Sequence, residues 1–319
     1  MRIVRPLVET VGQLGQSVRD VRRLDEVCRI LVRHGLGMIV AGLPGQPKDA
    51  TLTSTPDHAL TAFQELGPTF VKLGQVLSTR PDILPEAYTN AFETLQDDVA
   101  PLPLAEIELQ LTRELGKGWA DGVEFDPEPL ATASIAQVHR ARLADGTPVV
   151  LKVQRPGIAA VIRADLNILG FLARRLLVEY PEARSFDPVG VLREFERSIE
   201  AELDFRKEAE NMAKFEKNFA GDERVRIPAV YPQLSAGGVL CMDLFEGIKF
   251  RDARAAGADM KRLGDRYLAV AYDMLFVHGL FHGDLHPGNV IVLPNEVLGL
   301  IDFGMVGTLT GEMRNHVVS

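Results

Sequence analysis

At 319 residues the chain is long enough for two domains or one large two-lobed one, and its 46% hydrophobic and 25% charged content is ordinary for a globular protein. A net charge of −9 argues against a nucleic-acid binder, whose footprint would be basic. Two cysteines far apart, Cys28 and Cys241, neither in a metal-type spacing, imply a reducing compartment, or at least no disulfide framework, and no apolar run reaches the roughly 18 residues of a membrane span.

Residues 1–45 read as a basic amphipathic helical segment. The start, Met1-Arg2-Ile3-Val4-Arg5-Pro6, lacks the apolar core and cleavage site of a secretion signal. Arg2, Arg5, Arg19, Arg22, Arg23, Arg29 and Arg33 stand against Glu9, Asp20, Asp25 and Glu26, so seven cations against four acids leave +3. Leu24, Val27, Ile30, Leu31 and Met38 give the helix an apolar side. Such a helix lies on an anionic membrane surface or packs on the body of the protein, and both readings stay open. Gly42-Leu43-Pro44-Gly45-Gln46-Pro47 breaks the pattern, and a polar linker runs to Pro56.

Residues 46–120 form a helical extension, with helices predicted at 57–66, 68–79, 85–97 and 104–116. Pro68, Pro81, Pro85, Pro101 and Pro103 mark their starts or ends. Lys72 and Gln75 lie three apart on one of these helices and project from the same side, by themselves only a polar stripe.

In residues 121–246, an alternating segment from Ile135 to Leu143, a turn at Ala144-Asp145-Gly146 and an apolar run Pro148–Gln154 predict a hairpin with Lys152 on its second strand. A lysine there is costly unless it meets an anion or snorkels out from an edge strand. A helix at 156–178 follows, then a long charged helix over 187–218 with apolar positions Val191, Leu192, Phe195, Ile199, Leu203 and Phe205. Asp204 and Glu208, four apart, share a face of it. Two like charges there are unfavourable without a cation opposite, so one is expected to meet Lys152 or a metal; a solvated acidic face is the alternative. Strands are predicted near 228–232 and 237–244, the last closed by Met242.

Residues 247–319 begin with a helix at 262–279, whose apolar side carries Leu263, Tyr267, Leu268, Val270, Ala271, Met274, Leu275 and Val277. It leads into His282-Gly283-Asp284-Leu285-His286-Pro287-Gly288-Asn289, a short apolar strand and Asp302-Phe303-Gly304. An Asp, an Asn five residues later and a second Asp after one hairpin are what a kinase-like site needs to hold Mg-ATP. Asp284 would orient or deprotonate a nucleophile, and Asn289 and Asp302 would put hard oxygen ligands on Mg²⁺. Each piece alone is weak; their order and spacing carry the reading. In the kinase pattern, Met242 with Asp243-Leu244-Phe245 is the hinge whose backbone reads adenine, and core packing is an equally compatible role for Met242. No internal repeat or low-complexity tract is present.

On these residues the chain resembles the UbiB/AarF family of atypical protein-kinase-like proteins, which includes mitochondrial and plastid coenzyme-Q-related kinases. Four motifs between residues 60 and 305 carry the resemblance. Lys72-Leu73-Gly74-Gln75 matches the family's Lys-x-Gly-Gln signature. Ala131-Thr132-Ala133-Ser134 matches the alanine-rich loop that replaces the usual glycine loop, with Thr132 where the family has Ala. Glu202-Leu203-Asp204 matches the Glu-x-Asp signature, with Glu208 as the helix glutamate that pairs with Lys152. Asp284, Asn289 and Asp302 complete the set.

The resemblance implies an α+β, protein-kinase-like two-lobed fold: 1–45 and 46–120 as the N-terminal extension, 121–246 as the small lobe with inserted helices, and 247–319 as a truncated large lobe. The chain ends fifteen residues after Gly304 where the family continues, so it is either a fragment or a protein with a shortened large lobe. ATP and Mg²⁺ are the implied cofactors. Ala131, Thr132, Ala133, Ser134, Lys152, Glu208, Met242, Asp243 and Phe245 would line the nucleotide, Asp284 and Lys152 would act in catalysis, and Asn289 and Asp302 would hold metal. Lys72, Gly74 and Gln75 would fold over the small lobe beside Glu202 and Asp204, where a protein substrate otherwise docks. The implied role is support of isoprenoid quinone (ubiquinone-type) biosynthesis, peripherally at the inner face of a bacterial cell membrane, with anionic lipid, quinone-pathway lipids or enzymes as partners. A conventional protein or small-molecule kinase and a non-catalytic nucleotide-gated adaptor are the rival readings.

Overall fold

The structure, a computed structural model, describes residues 18–41, 43, 53–95 and 99–309. Its helices α1 (Val18–Arg33), α2 (Gly37–Val40), α3 (Pro56–Leu66), α4 (Pro68–Ser78), α5 (Glu86–Phe92) and α6 (Leu104–Leu115) precede strands β1 (Val123–Thr132), β2 (Ala136–Leu143) and β3 (Pro148–Gln154). Helices α7 (Ile158–Glu179), α8 (Pro188–Glu202) and α9 (Phe205–Asn218) follow, then β4 (Val225–Arg226), β5 (Val239–Asp243) and β6 (Ile248–Lys249). Helix α10 (Met260–Tyr272) and strands β7 (Leu280–His282), β8 (Val290–Leu293), β9 (Val297–Leu300) and β10 (Val306–Thr308) complete the described chain. Two compact units result. The first holds the described residues up to Ala100 with Thr132–Ile135 and Gly157–Arg197; the second holds Pro101–Ala131, Ala136–Pro156 and the described residues from Ser198.

The first unit is helical, and its boundaries are written in its sequence. Helix α3 starts where the Thr55 hydroxyl accepts the His58 amide at 3.3 Å, with Pro56 preset for the first turn and Asp57 near the positive end of the helix dipole. It stops at Gly67, whose φ of +92° suits glycine, and Pro68 restarts the chain as α4. Leu24, Val27, Ile30 and Leu31 of α1 pack with Ala59, Ala62 and Leu66 of α3, Phe70 of α4, Phe92 of α5 and Ile168 and Leu172 of α7. Inside this cluster Asp165 of α7, 0% exposed, accepts from Arg23 Nε at 2.7 Å and from Thr69 Oγ1 at 2.6 Å. Arg23 also donates to the Leu66 carbonyl, so the ion pair and its hydrogen bonds tie α1, α3, α4 and α7 together. Of the two readings of the basic helix, packing is what the structure has for its apolar side. Its arginines Arg22, Arg29 and Arg33 remain exposed. Residues 1–17 lie outside the described residues, among which no helix is long and apolar enough to cross a membrane.

The second unit carries a sheet in the order β1-β2-β3-β5. The predicted hairpin forms: the Gly146 amide donates to Leu143 O at 2.8 Å, and antiparallel pairing sets Lys152 between Val138 and Leu240. Alternation along β3 decides which way Lys152 faces. Val149, Leu151 and Val153 pack with Ile107 and Leu111 of α6, whereas Val150 packs with Phe205 and Met212 of α9. Lys152 shares the side of Val150, towards α9. A second sheet, β4-β9-β8-β6, and the pair β7–β10 set the three loop residues: Asp284 follows β7, Asn289 precedes β8 and Asp302 follows β9.

Several boundaries differ from expectation. The long helix over 187–218 is two helices broken at Leu203–Asp204, because the Asp204 carboxylate caps α9 by accepting the Arg206 amide at 3.2 Å. Asp204 therefore lies outside the helix instead of sharing a face of it with Glu208. No strand spans 228–232. Pro228 and Pro232 cannot donate to a ladder, and Val230 makes a single bridge to Met242. The helix predicted at 85–97 ends at Phe92, and residues 96 and 97 of it lie outside the described residues. The helix predicted at 262–279 is α10 followed by a wider turn over Asp273–His278; Leu263, Val270 and Met274 are buried, while Leu268 and Val277 are 57% and 62% exposed.

Candidate active site

The centre of the site is an ion pair built on β3 and α9. Lys152 Nζ donates to Glu208 Oε2 at 2.8 Å and to Oε1 at 3.1 Å, and it lies 3.6 Å from Asp302 Oδ1. Glu208 is 3% exposed, and the Phe205 ring covers the ammonium at 5.2 Å. Burial alone would lower the Lys152 pKa, but the carboxylates of Asp302 and Glu208, with Glu202 behind them, outweigh it and hold the ammonium above its ordinary value. Burial pushes the Glu208 carboxyl up, against the downward pull of Lys152. Lys152 is thus held charged by Asp302 and Glu208 together, and Glu208 is the one that hydrogen-bonds it.

The start of α9 is pinned to the end of β3. Gln154, two residues after Lys152, donates its side-chain amide to Leu203 O at 3.0 Å and its backbone amide to Gly238 O at 2.9 Å. The Phe205 amide reaches Gly237 O at 2.9 Å, and Glu114 of α6 accepts the Gly238 amide at 2.9 Å. The start of α9 is therefore fixed against the sheet, which delivers Glu208 to Lys152.

The loop after β7 is held as tightly. His282 is buried: Nδ1 accepts the Asp284 amide at 3.2 Å, so Nε2, 3.2 Å from Ile301 O, carries the proton and donates. Burial lowers the His282 pKa and keeps it neutral. Asn289 Nδ2 donates to Asp284 O at 3.0 Å and to Asp284 Oδ2 at 3.1 Å. His286 Nε2 stands 3.6 Å from the same Oδ2. The Tyr267 hydroxyl of α10 donates to the Leu285 carbonyl and anchors the loop to that helix.

Asp302 has φ +62°, an unusual conformation that Asp tolerates better than most residues, and it accepts the Gly304 amide at 3.3 Å. Its carboxylate is 51% exposed. Phe303 is wholly buried, its ring 5.0 Å from Phe215 and 5.1 Å from His282, and Asn211 Nδ2 donates to its carbonyl at 3.0 Å. Asn289 spends its amide protons on Asp284, which leaves its side-chain oxygen, like the Asp302 carboxylate, as an atom that could hold a cation. Among the described residues no three His, Cys, Asp or Glu side chains group to hold a metal by themselves. One carboxylate and one amide oxygen suit Mg²⁺, which usually binds through one or two such groups plus substrate phosphates.

The structure brings together Lys152, Glu208 and Asp302, and separately Asp284 and Asn289. Asp204 is engaged by Arg206 at 2.8 Å, and its pKa is lowered by that hydrogen bond. Glu202 ends α8, half-buried. In the first unit, Gln75 donates to Leu95 O at 3.2 Å, and a Cβ at Gly74 would come within 2.3 Å of Leu95 Cδ1, so glycine there serves helix packing. Lys72 is half-buried. Ala131 and Thr132 end β1; Ala133 follows, and the Ser134 hydroxyl is buried without a hydrogen-bond partner among the described residues. Met242 is core, Asp243 accepts from Ala229 N at 3.0 Å and Tyr231 Oη at 2.8 Å, and Phe245 follows β5, half-buried. Sequence reading missed Gln154, Asn211 and the ring of Phe205 as site residues. For Asn211 the signal was present: it stands three residues after Glu208, on the same helical face.

A lysine–glutamate pair between a sheet and a helix, an Asp–Asn loop and a D-F-G after a hairpin define a protein-kinase-like α+β fold. The solved complex of Rv3197 with erythromycin from Mycobacterium tuberculosis is similar, with a TM-score of 0.61, 34% identity, and coverage of 80% of this chain and 65% of that one. Residues 94–319 match the ABC1 atypical kinase-like domain, and the chain belongs to that family. It is 41% identical over 267 residues to a probable protein kinase UbiB of Vibrio parahaemolyticus, covering 80% of this chain and 49% of that protein. To the probable protein kinase UbiB of Pseudomonas putida it is 36% identical over 325 residues, covering 93% and 59%. The chain thus spans about half the length of the curated relatives it matches.

Proposed function

We propose that the chain is a Mg-ATP-dependent atypical kinase or ATPase of the UbiB type, supporting isoprenoid quinone biosynthesis at a membrane surface. The observation that carries the reading is the buried Lys152–Glu208 pair with Asp302 3.6 Å away. A lysine held charged in this way is a ready ligand for phosphate oxygens. Glu208 keeps it aimed, and its looser contact with Asp302 is the one a nucleotide would replace. Asn289 and Asp302 would hold the cation, which when bound with nucleotide neutralises charge on the phosphates. Asp284, fixed through Oδ2 by Asn289, would orient an attacking hydroxyl or water and take its proton.

The quinone role rests on family likeness and on relatives named probable protein kinase UbiB. The membrane role rests on the exposed arginines of α1; with its apolar side packed, contact with anionic lipid would be electrostatic. Thermal melting with ATP, with and without Mg²⁺, tests the core of the proposal. Ligand at one hundred times its Kd adds about 2.7 kcal/mol, a rise of at least several degrees. The rise should need Mg²⁺ and vanish in Asp302→Asn. Cooperative melting with no rise would sink the Mg-ATP reading. ATP turnover stimulated by anionic vesicles is the next assay.

A further inference from the structure

One face of α9 grips the D-F-G segment. Glu208, Asn211, Met212 and Phe215 recur at the three- and four-residue spacing that stacks them on one side of a helix. Glu208 anchors Lys152 at 2.8 Å. One turn on, Asn211 Nδ2 donates to the Phe303 carbonyl at 3.0 Å. One further turn on, the Phe215 ring lies 5.0 Å from the Phe303 ring, which is completely buried. Phe303 is therefore held by its carbonyl and by its ring, both from the helix that carries the lysine's partner.

The residue before it, Asp302, sits at φ +62°, and a non-glycine residue stays in such a conformation only where its surroundings over-determine it. The Asp302–Phe303–Gly304 segment cannot turn over without breaking the Asn211 bond and drawing the Phe303 ring out of the core. In kinases that switch, the packing of this phenylalanine sets active and inactive states. Here a side-chain hydrogen bond is added to that packing.

We propose that Asn211 is a positioning residue: by holding the Phe303 carbonyl it fixes the Asp302 carboxylate in its metal-binding attitude, so that D-F-G is a rigid clamp and not a switch. The metal half of this inference rests on the Mg-ATP reading; the tether itself does not.

Two measurements on the full chain separate them, using Asn211→Leu (similar size, no donor), Asn211→Asp (same shape, donor replaced by acceptor) and Asn211→Gln (donor retained). In hydrogen–deuterium exchange, the backbone amides of residues 303–305 should exchange roughly fivefold faster in Asn211→Leu and Asn211→Asp, as expected for one lost hydrogen bond. Strand β8 should be unchanged, and Asn211→Gln should recover part of the protection. In melts with ATP, the Mg²⁺ concentration giving half the stabilisation should rise by a similar factor, with any metal-free ATP effect unchanged. Unchanged local exchange in folded Leu and Asp variants overturns the tether. Faster exchange spread equally over β8 overturns it too, because it means general loosening. Faster local exchange with an unshifted Mg²⁺ requirement overturns the positioning role. A wild type that shows no Mg²⁺-dependent effect overturns the Mg-ATP reading and that role with it, while the exchange arm still decides the tether.

Discussion

Replacing Lys152 by methionine removes the ammonium from a carboxylate that is 3% exposed, while leaving the apolar stem and the packing of β3 almost intact. Breaking a buried pair from one side costs about 3–5 kcal/mol when the remaining charge stays ionised. Glu208 has an escape, which is to take up a proton. Burial already pushes its carboxyl up, and Lys152 is the largest influence pulling it back. Without Lys152 the folded state binds a proton more tightly than the unfolded chain does. A group whose folded pKa is raised contributes stability below its unfolded pKa and loses it as pH climbs towards the folded value. The variant should therefore be penalised by about 3 kcal/mol at pH 8 and by only about 1 kcal/mol at pH 5, just above the ordinary glutamate value. In melting temperature this is a loss of roughly 6–12 °C at pH 8 that shrinks by more than half at pH 5. The double variant Lys152→Met, Glu208→Gln should lose the pH dependence. A penalty that stays constant from pH 5 to pH 8, or grows on acidification, would show that Glu208 is not the buried anion that Lys152 neutralises.

Asp284→Asn should keep Mg²⁺-dependent stabilisation by ATP and lose turnover by about 10²–10⁴-fold, the usual contribution of a positioned acid–base group; undiminished turnover would remove Asp284 from the chemistry. Arg23→Met leaves the Asp165 carboxylate buried with Thr69 as its remaining side-chain donor among the described residues, and should cost about 3 kcal/mol or more, read as faster amide exchange along α1 and α7. Adding Asp165→Asn should recover a good part of that loss; no recovery would mean the two side chains act independently.

The candidate set was legible because its chemistry is local. Asp284, Asn289 and Asp302 sit on loops whose strands are short and apolar, and Lys152 lies in a run whose alternation admits one orientation once Val149, Leu151 and Val153 are buried. The kink before α9 was harder to see. The apolar positions Phe195, Ile199 and Leu203 keep a helical stripe up to the break, and that periodicity masked both the step of two to Phe205, which leaves the stripe, and the cap signal of Asp204. The tethers Gln154 and Asn211 had a visible helical or strand phase but no visible acceptor, since both bond to backbone carbonyls far along the chain, Leu203 and Phe303. The apolar side of α1 was equally readable, but its cover, Ile168 and Leu172, comes from a helix more than a hundred residues later.

The two thiols have a practical consequence. Cys28 and Cys241 are buried, and burial pushes their pKa values up to about 11 and about 12, so neither supplies a useful thiolate at neutral pH. Cys241 pairs in register with Leu151, one residue from Lys152. Cys241 shares with Leu151 the face of the sheet that Ile107 and Leu111 of α6 cover, so a maleimide added to the unmodified chain reaches it only when α6 lifts or the sheet opens. Its labelling rate is a built-in clock for how often the cover over the lysine-bearing sheet comes open, and nucleotide should slow that clock without a single residue being changed.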